Sequence, residues 1–232
     1  QNLTAGGQNA EGIDATNDLS FLCIQASMHT QLPAPSFSVR IWNGTPNEFL
    51  IKCAELTRTG VGLPAYYNDE VIIPALMSRG VTLADAREYG IIGCVEPQKP
   101  FKTDGWHDAA FFNMCRPLEL VFSNGVDKGA QISIKTGNVE DMTTFEEFYN
   151  AYKAQETYMI GLMVNAINAI DTAHSERVPL PFLSCMVEDC VKEGKTVQEG
   201  GAHYNFTGPQ GFGIANMADG LWAVKTLVFD EK

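Results

Sequence analysis

Ile91-Ile92-Gly93-Cys94-Val95-Glu96-Pro97 joins a short apolar strand to a segment whose glycine and proline oppose a helix. In an extended backbone, the side chains of residues i and i+2 point to the same side. The thiol of Cys94 and the carboxylate of Glu96 are therefore expected to face one space. An arbitrary Cys-x-Glu is most often a buried structural cysteine beside a surface glutamate, so the pair becomes a candidate reactive site only if its surroundings support one.

Helix and strand patterns alternate upstream of this segment. Residues 1–15 are rich in glycine and asparagine, and we expect a loop there. A helix is predicted from a cap at Thr16 or Asn17 to His29, followed by a strand over 36–42. The next helix is opened by a Thr45–Glu48 capping box with Pro46 at its first position and is closed by Gly60. The remaining upstream elements are an extended piece over 63–67, a helix over 68–79 kinked by Pro74, and a short helix from Thr82.

Downstream of this segment the clearest element is a helix opened by the capping box Thr144-x-x-Glu147. Its apolar residues recur at helical spacing over about 30 residues, which indicates core packing. Short strands alternating with helices predict the α/β class, and the three or four visible strands are too few to close a barrel alone. The other predictions are a loop over 98–108, a helix over 109–123, a glycine-rich loop over 200–213 and a final helix over 215–229.

The charge and the apolar pattern of the chain argue against several classes of protein. The 232 residues carry a net charge of −12, and the sequence pI is about 4.7. An acidic surface repels phosphate backbones, so we expect no nucleic-acid partner. The sequence has no long basic run, no spanning apolar stretch and no signal-peptide pattern at its start. These features predict a soluble cytoplasmic protein with no membrane partner.

The six cysteines and four histidines give no metal-binding pattern. The cysteines are irregularly spaced, and several lie beside apolar residues in helical patterns, which favours free buried thiols over three disulfides. Cys185 and Cys190 are five residues apart and lack a second pair, so we expect no structural zinc site. The glycine-rich stretch over 200–213 lacks the Lys-Ser/Thr ending of a phosphate-binding loop.

Five blocks of the sequence, taken together, resemble the glycyl-radical enzymes, the pyruvate formate-lyase-like family. They occur in the family's order and span essentially the whole chain, which makes the match far more specific than one short motif. The blocks are Asn2-Leu-Thr-Ala-Gly-Gly7, Leu32-Pro-Ala-Pro-Ser-Phe-Ser-Val-Arg40, Gly60-Val-Gly-Leu-Pro-Ala-Tyr-Tyr-Asn-Asp69, the stretch Gly93-Cys-Val-Glu-Pro97 with Lys102-Thr-Asp-Gly-Trp-His-Asp108, and Gly201-Ala-His-Tyr-Asn-Phe-Thr-Gly-Pro-Gln-Gly211.

Within that family, Gly-Cys-x-Glu marks the eliminases. Pyruvate formate-lyase itself has adjacent cysteines, whereas Val95 follows Cys94 here, and the benzylsuccinate-type enzymes lack the glutamate that is present as Glu96. The stretch Trp106-His107-Asp108 resembles the B12-independent glycerol and propane-1,2-diol dehydratases. The resemblance implies a lyase (a hydro-lyase) that converts a small 1,2-diol to an aldehyde and water. A C–S, C–N or hydroxyproline lyase or dehydratase acting on another small polar substrate remains open.

The resemblance also implies roles for three residues of this chain. Cys94 would carry a thiyl radical to the substrate, and Glu96 would accept the proton of a substrate hydroxyl. Asp108 would hydrogen-bond a substrate hydroxyl, and its neighbour His107 is more often turned away from a ligand. Cys94 and Glu96 are the catalytic candidates, Asp108 is the substrate-binding candidate, and no metal or B12 is expected in this chain.

The resemblance further implies that the chain is an internal segment of a larger protein. Residues 1–232 would form an internal part of a ten-stranded α/β barrel with the cysteine loop inside it. The N-terminal part and the C-terminal glycyl-radical domain would lie outside these residues, so the excerpt alone is expected to be inactive. The implied partners are a radical-SAM activating enzyme, a small-molecule substrate and a second copy in a homodimer. The implied setting is the cytoplasm of an anaerobic bacterium, with a bacterial microcompartment as an open alternative.

Overall fold

The computed structural model describes residues 2–230, which form two compact units. The first unit contains residues 2–105, 182–194 and 201–205, and the second contains residues 106–181, 195–200 and 206–230. Strands and helices alternate along the chain, which confirms the α/β class. Within residues 2–230, no helix combines the length and apolar character needed to cross a bilayer.

The secondary structure of the described residues follows the chain in this order. The strands are β1 (Asn2–Gly6), β2 (Ser36–Ile41), β3 (Ala65–Asn68), β4 (Gly90–Ile92), β5 (Glu96–Gln98), β6 (Thr103–Asn113), β7 (Val126–Asp127), β8 (Ala130–Gln131) and β9 (Tyr204–Phe212). The α-helices are α1 (Asp18–Thr30), α2 (Asn47–Arg58), α3 (Asp69–Met77), α4 (Leu83–Arg87), α5 (Cys115–Phe122), α6 (Phe145–Arg177), α7 (Pro181–Ser184), α8 (Cys190–Glu193) and α9 (Ile214–Val224).

The first unit is organised by a parallel sheet in the order β1-β2-β3. Each connection between these strands contains a helix, as parallel neighbours require. The central strand β2 is buried along most of its length because α1 and α2 pack against it. The core of this unit consists of Ile24, Phe37, Val39, Phe49, Cys53 and Leu56.

Arg40 and Asp69 form a buried ion pair in the same unit. Nε and Nη2 of Arg40 donate to the two carboxylate oxygens of Asp69, at 2.9 and 2.8 Å. Arg40 also donates to the carbonyl oxygens of Arg87 and Tyr89, while Asp69 accepts from the Tyr89 hydroxyl and the Gln8 N–H. The pair therefore joins β2 and α3 to the segment that leads into β4.

The second unit is built around the long helix α6. Its N-cap Thr144 forms the predicted capping box with Glu147, and the helix runs for 33 residues. Helix α5 packs against it, and α9 packs against α5. The core consists of Leu118, Val121, Phe148, Ala151 and Tyr152, so the predicted packing role of the apolar stripe is confirmed for its first part.

Four local predictions were wrong for reasons visible in the fold. Residues 2–6 form a strand because they pair with β2. The loop predicted over 98–108 and the start of the helix predicted over 109–123 are replaced by β6, and the helix begins only at Cys115. The loop predicted over 200–213 contains β9, which pairs with β6. In each case a distant partner strand overrides a local composition that is rich in glycine or alanine.

The capping box predicted at Thr45 does not form. The Thr45 hydroxyl accepts a hydrogen bond from the Trp42 N–H instead, at 2.9 Å. Helix α2 has Pro46 as its N-cap, without a side-chain hydrogen bond, and begins at Asn47. The competing turn at residues 42–45 therefore uses the side chain that the pattern assigned to the helix.

Candidate active site

Cys94 lies at the tip of a short antiparallel hairpin formed by β4 and β5. Residues 93–95 form the turn, and Gly93 has a left-handed backbone angle, φ +62°. The extended backbone that we predicted from Cys94 to Glu96 is therefore wrong, because Cys94 belongs to the turn rather than to a strand. Cys94 is exposed. It lies at the tip because Gly93 can adopt the left-handed backbone angle that the turn requires.

The carboxylate of Glu96 folds back onto this turn. Its Oε2 atom accepts the N–H of Cys94 and the N–H of Val95, both at 2.8 Å. Glu96 is only 8% exposed. Hydrogen bonds from backbone amides to a carboxylate are charge-assisted and strong. The Glu96 carboxylate therefore binds the backbone of the turn that carries Cys94, and that the thiol and the carboxylate face one space stays a prediction.

Two further side chains hold the same turn from other strands. The Tyr67 hydroxyl, on β3, donates to the Cys94 carbonyl oxygen at 2.5 Å. Nδ2 of Asn2, on β1, donates to the Gly93 carbonyl oxygen at 2.6 Å and to that of Ile91 at 3.3 Å. Asn2 and Tyr67 belong to blocks that carried the family resemblance, but no local pattern assigned either of them to the site.

Tyr67 remains a hydrogen-bond donor over a wide pH range. Burial raises the pKa of its hydroxyl, and the neighbouring negative charge of Glu96 and the Cys94 thiol raise it further. A raised pKa keeps the phenol protonated at neutral and mildly alkaline pH. The contact with the Cys94 carbonyl therefore survives at any ordinary working pH.

Asp108 belongs to β6 in the second unit. It is exposed and has a left-handed backbone angle, φ +58°, which is uncommon for a residue other than glycine. Nε2 of Gln210, on β9, donates to its Oδ1 atom. Gln210 is therefore a neighbour of Asp108, the substrate-binding candidate. No sequence pattern pointed to Gln210, because it lies 102 residues from Asp108 in the chain. That Asp108 binds a substrate hydroxyl stays a prediction.

The residue beside Asp108 lies close to the partner strand. A Cβ placed on Gly208 of β9 would be 3.0 Å from Nδ1 of His107, so glycine lets the two strands approach there. On the same strand, the ring of Trp106 makes an edge contact with His174 at 5.3 Å between centroids. Trp106 and His174 therefore pack against each other within the second unit.

The cysteines differ widely in accessibility, and none of the six is in a disulfide. Cys53 and Cys190 are buried, whereas Cys94 and Cys185 are exposed. Burial raises the pKa of the Cys53 thiol to about 11, which makes that thiol a poor nucleophile. The prediction of free thiols is confirmed, and the prediction that they are buried holds for only part of the set.

One cluster in the first unit has the residue types of a metal site. Ligand atoms of Glu188, Asp189 and His203 lie within 4.8 Å of one another. Lysine ammonium groups already approach both carboxylates, Lys102 at 3.5 Å from Glu188 and Lys192 at 3.6 Å from Asp189. The His203 ring nitrogen Nδ1 is 2.6 Å from Asp189. These charges account for the cluster as a surface ion-pair network.

The chain is similar to a known protein family and to solved structures of dehydratases. A family model described as pyruvate formate lyase-like matches residues 1–232. A solved structure concerned with 1,2-propanediol dehydration in Roseburia inulinivorans is 67% identical, with a TM-score of 0.97, over 100% of this chain and 29% of that chain. The glycerol-bound B12-independent glycerol dehydratase from Clostridium butyricum is 64% identical, with a TM-score of 0.97 and the same coverage.

A curated relative acts on a different small substrate. The (2S)-3-sulfopropanediol dehydratase of Klebsiella oxytoca is 42% identical over 234 residues, which cover 100% of this chain and 28% of the relative. The chain therefore spans less than a third of the length of each of these three proteins.

Proposed function

The chain belongs to the pyruvate formate lyase-like family, and we propose that the complete protein is a glycyl-radical dehydratase converting a small 1,2-diol, glycerol or propane-1,2-diol, to an aldehyde and water. The observation that carries the proposal is the exposed Cys94 at a hairpin tip whose backbone amides bind the Glu96 carboxylate. The identities of 67% and 64% to proteins of diol and glycerol dehydration support this substrate class.

The structural context of the site is part of the proposal. We place residues 1–232 as an internal segment of a ten-stranded α/β barrel, with the Cys94 turn inside it. The remaining parts of the complete protein would supply the N-terminal substrate contacts and the glycyl-radical domain. The coverage of 29% of the related dehydratases supports only the part of this proposal that makes the chain a piece of a longer protein.

The cofactor fits the residues that are present. Hydrogen-atom relay needs an accessible thiol at a defined position, and Cys94 provides an exposed thiol on a turn fixed by hydrogen bonds. A glycyl radical, installed by a radical-SAM activating enzyme on a part of the complete protein outside this chain, would supply the unpaired electron. We assign no metal or B12 to the reaction of these residues.

The proposed chemistry divides between Cys94 and Glu96. As a thiyl, the sulfur of Cys94 takes a hydrogen atom from the carbinol carbon, forming an S–H bond as the C–H bond breaks. These two bonds are close in strength, so the transfer is nearly balanced and reversible. Glu96 accepts the proton of the hydroxyl on that carbon, and the resulting ketyl-like radical expels the neighbouring hydroxyl. A positioned acid–base group contributes about 10²- to 10⁴-fold.

The remaining steps return the site to its starting state. The departing hydroxyl takes up a proton through a donor network and leaves as water. The proton that Glu96 accepted replenishes this network, so Glu96 returns to its carboxylate form and no proton is gained or lost overall. Asp108 would hydrogen-bond a substrate hydroxyl and belong to that network. The S–H of Cys94 then returns its hydrogen atom to the product radical, which completes the aldehyde and restores the thiyl.

A second candidate substrate is favoured by one comparison. The 42% identical relative is named for a sulfonated propanediol, so the same reactive pair is compatible with a dehydratase or lyase for another small polar substrate. The C–S, C–N and hydroxyproline reactions of the wider family belong to this alternative. We further propose that the complete enzyme is a homodimer acting in the cytoplasm, or in a microcompartment, of an anaerobic bacterium.

The experiment that tests the proposal uses the complete protein, activated anaerobically by its radical-SAM partner. Glycerol, propane-1,2-diol, sulfopropanediol, isethionate and trans-4-hydroxyproline are compared as substrates, and aldehyde, sulfite and other products are measured. We expect turnover of one of the simple diols and none by Cys94→Ala. Turnover of only the sulfonated or amino-acid substrates would move the protein to the second candidate, and a Cys94→Ala variant as active as wild type would refute the mechanism.

A further inference from the structure

Hydrogen bonds hold both peptide groups that flank the α-carbon of Cys94. The peptide group before it has its carbonyl bound by Asn2 and its N–H bound by Glu96. The peptide group after it has its carbonyl bound by Tyr67 and its N–H bound by Glu96. We propose that Tyr67, together with Asn2, is a positioning residue that holds the backbone of Cys94 where hydrogen transfer requires its sulfur.

The arrangement fixes more than a single contact would. A peptide group is planar, so binding its carbonyl and its amide on opposite sides fixes the orientation of the plane. With both flanking planes fixed, the backbone angles of Cys94 are fixed as well. The side-chain torsion about Cα–Cβ is then the main freedom left to the sulfur.

The strands that carry the turn are short. Strands β4 and β5 are three residues long, and the turn between them begins at a glycine with a left-handed backbone angle. Asn2 and Tyr67 lie on β1 and β3, the strands on either side of the buried strand β2. The parallel sheet, whose central strand is largely buried, therefore supports the hairpin tip through the side chains of Asn2 and Tyr67.

Of Tyr67 and Asn2, Tyr67 has the contact that can be removed with the smaller change to its side chain. Tyr67→Phe deletes one oxygen atom and keeps the ring on β3. The neighbouring Tyr66 is a matched control, because its hydroxyl lies 2.6 Å from the Thr57 hydroxyl, and it is 47% exposed. Tyr66→Phe therefore deletes a comparable hydrogen bond on the same strand without touching the Cys94 turn.

The inference rests on the proposed function, so the test is made in the complete, anaerobically activated enzyme with propane-1,2-diol and glycerol. For Tyr67→Phe we expect kcat to fall roughly 10- to 100-fold, since a displacement of about 1 Å costs on the order of 10²-fold. We expect KM to stay within about twofold, because the substrate contacts are unchanged. The glycyl-radical signal in electron paramagnetic resonance and the melting temperature should match those of Tyr66→Phe.

A kinetic isotope effect separates positioning from a merely structural role. With substrate deuterated at the carbinol carbon, a misplaced sulfur makes hydrogen transfer more rate-limiting, so the isotope effect on kcat should rise in Tyr67→Phe. It should stay at the wild-type value in Tyr66→Phe. Asn2→Ala is a second variant that loosens the same turn from the other side, and the same changes are expected there.

The outcomes distinguish this inference from the proposed function. If Tyr67→Phe and Asn2→Ala turn over like wild type while Cys94→Ala is inactive, the positioning role is overturned and the proposed function stands. If Tyr67→Phe loses melting temperature and radical content together with rate, Tyr67 is only structural and the inference is equally overturned. If Cys94→Ala remains active, both are wrong.

Discussion

The N–H of Cys94 donates to Oε2 of Glu96 at 2.8 Å, so the residue proposed to take the substrate proton also caps the backbone of the residue proposed to carry the radical. The same oxygen accepts the Val95 N–H at 2.8 Å. Glu96 therefore has a structural contact and a proposed chemical role in one carboxylate. The two can be separated because an amide oxygen accepts hydrogen bonds but does not take up a proton at neutral pH.

Replacing Glu96 by Gln should abolish most activity while preserving the fold. The Gln amide oxygen can still accept from the two turn amides, so we expect the melting temperature to stay near the wild-type value. Without a proton acceptor, kcat should fall by about 10²- to 10⁴-fold. Glu96→Ala should lose activity and also lower the free energy of unfolding by roughly 1–3 kcal/mol, because two part-buried hydrogen bonds to a charged group are lost. Wild-type kcat in the Gln variant would exclude the proton-transfer role.

Gly93→Ala should inactivate the enzyme through its contact with Glu96. Both Gly93 (φ +62°) and Gly194 (φ +64°) have left-handed backbones, so alanine at either position should cost about 1–2 kcal/mol of stability. A Cβ on Gly93 would also lie 2.6 Å from Oε2 of Glu96, whereas one on Gly194 meets nothing within 4 Å. We therefore expect a drop in kcat of more than roughly 10-fold for Gly93→Ala alone. Equal kcat values in the two variants would show that the carboxylate need not occupy this place.

The proposed catalytic pair, Cys94 and Glu96, can be picked out in the sequence, whereas the residues around it cannot. Gly93, Cys94 and Glu96 lie within four residues, so a short motif records them together. Asn2 is 91 residues from Gly93, and Tyr67 is 27 residues from Cys94. Such contacts depend on which strands become neighbours, and no local pattern of polar and apolar residues contains that information.

The helices were predicted better than the strands for the same physical reason. A helix satisfies its backbone hydrogen bonds locally, so caps such as Asn17, Asn68 and Thr144 are visible in the sequence and are confirmed. Strands β6 and β9 satisfy theirs with each other, about 100 residues apart in the chain. Their glycines and alanines indicated a loop and a helix until the partner strand was known.

Gln210→Glu should impair substrate binding more than Gln210→Ala does. In the first variant a second carboxylate lies beside Asp108 in place of the amide that donates to it, and like charges repel. Loss of one hydrogen bond in Gln210→Ala should raise KM for the diol by about 3- to 10-fold. Steady-state kinetics on both diols measure the difference. Asp108→Asn is the companion variant, and full activity in it would refute the proposed contact with a substrate hydroxyl.

Asp85 should make the stability of the protein sensitive to acid. Burial alone would raise the pKa of this carboxyl, but hydrogen bonds from Tyr204, Lys102 and Thr82 outweigh it and lower the pKa. The pKa of an aspartate carboxyl in the unfolded chain is about 3.9, and above that pH a carboxyl whose pKa is lowered by folding stabilises the folded state. This stabilisation is lost as the pH falls through the pKa of the carboxyl in the folded protein.

The free energy of unfolding of wild type should therefore exceed that of Asp85→Asn near pH 7, and the gap should narrow below about pH 4. The exposed Asp219 on α9 offers a control with the same change of charge, Asp219→Asn. A gap that stays constant between pH 7 and pH 3 would contradict the expected coupling.

Breaking the Arg40–Asp69 pair should destabilise the protein far more than replacing it. Arg40 is 4% exposed and Asp69 is 0% exposed, so Asp69→Ala leaves a buried guanidinium without its carboxylate, which typically costs about 3–5 kcal/mol. Arg40→Met with Asp69→Leu removes both charges, and its cost should be smaller than that of Asp69→Ala alone. Urea unfolding of the single and double variants measures this difference. Because Arg40 also holds the carbonyls of Arg87 and Tyr89, just before β4, the single variants should additionally loosen the base of the Cys94 hairpin.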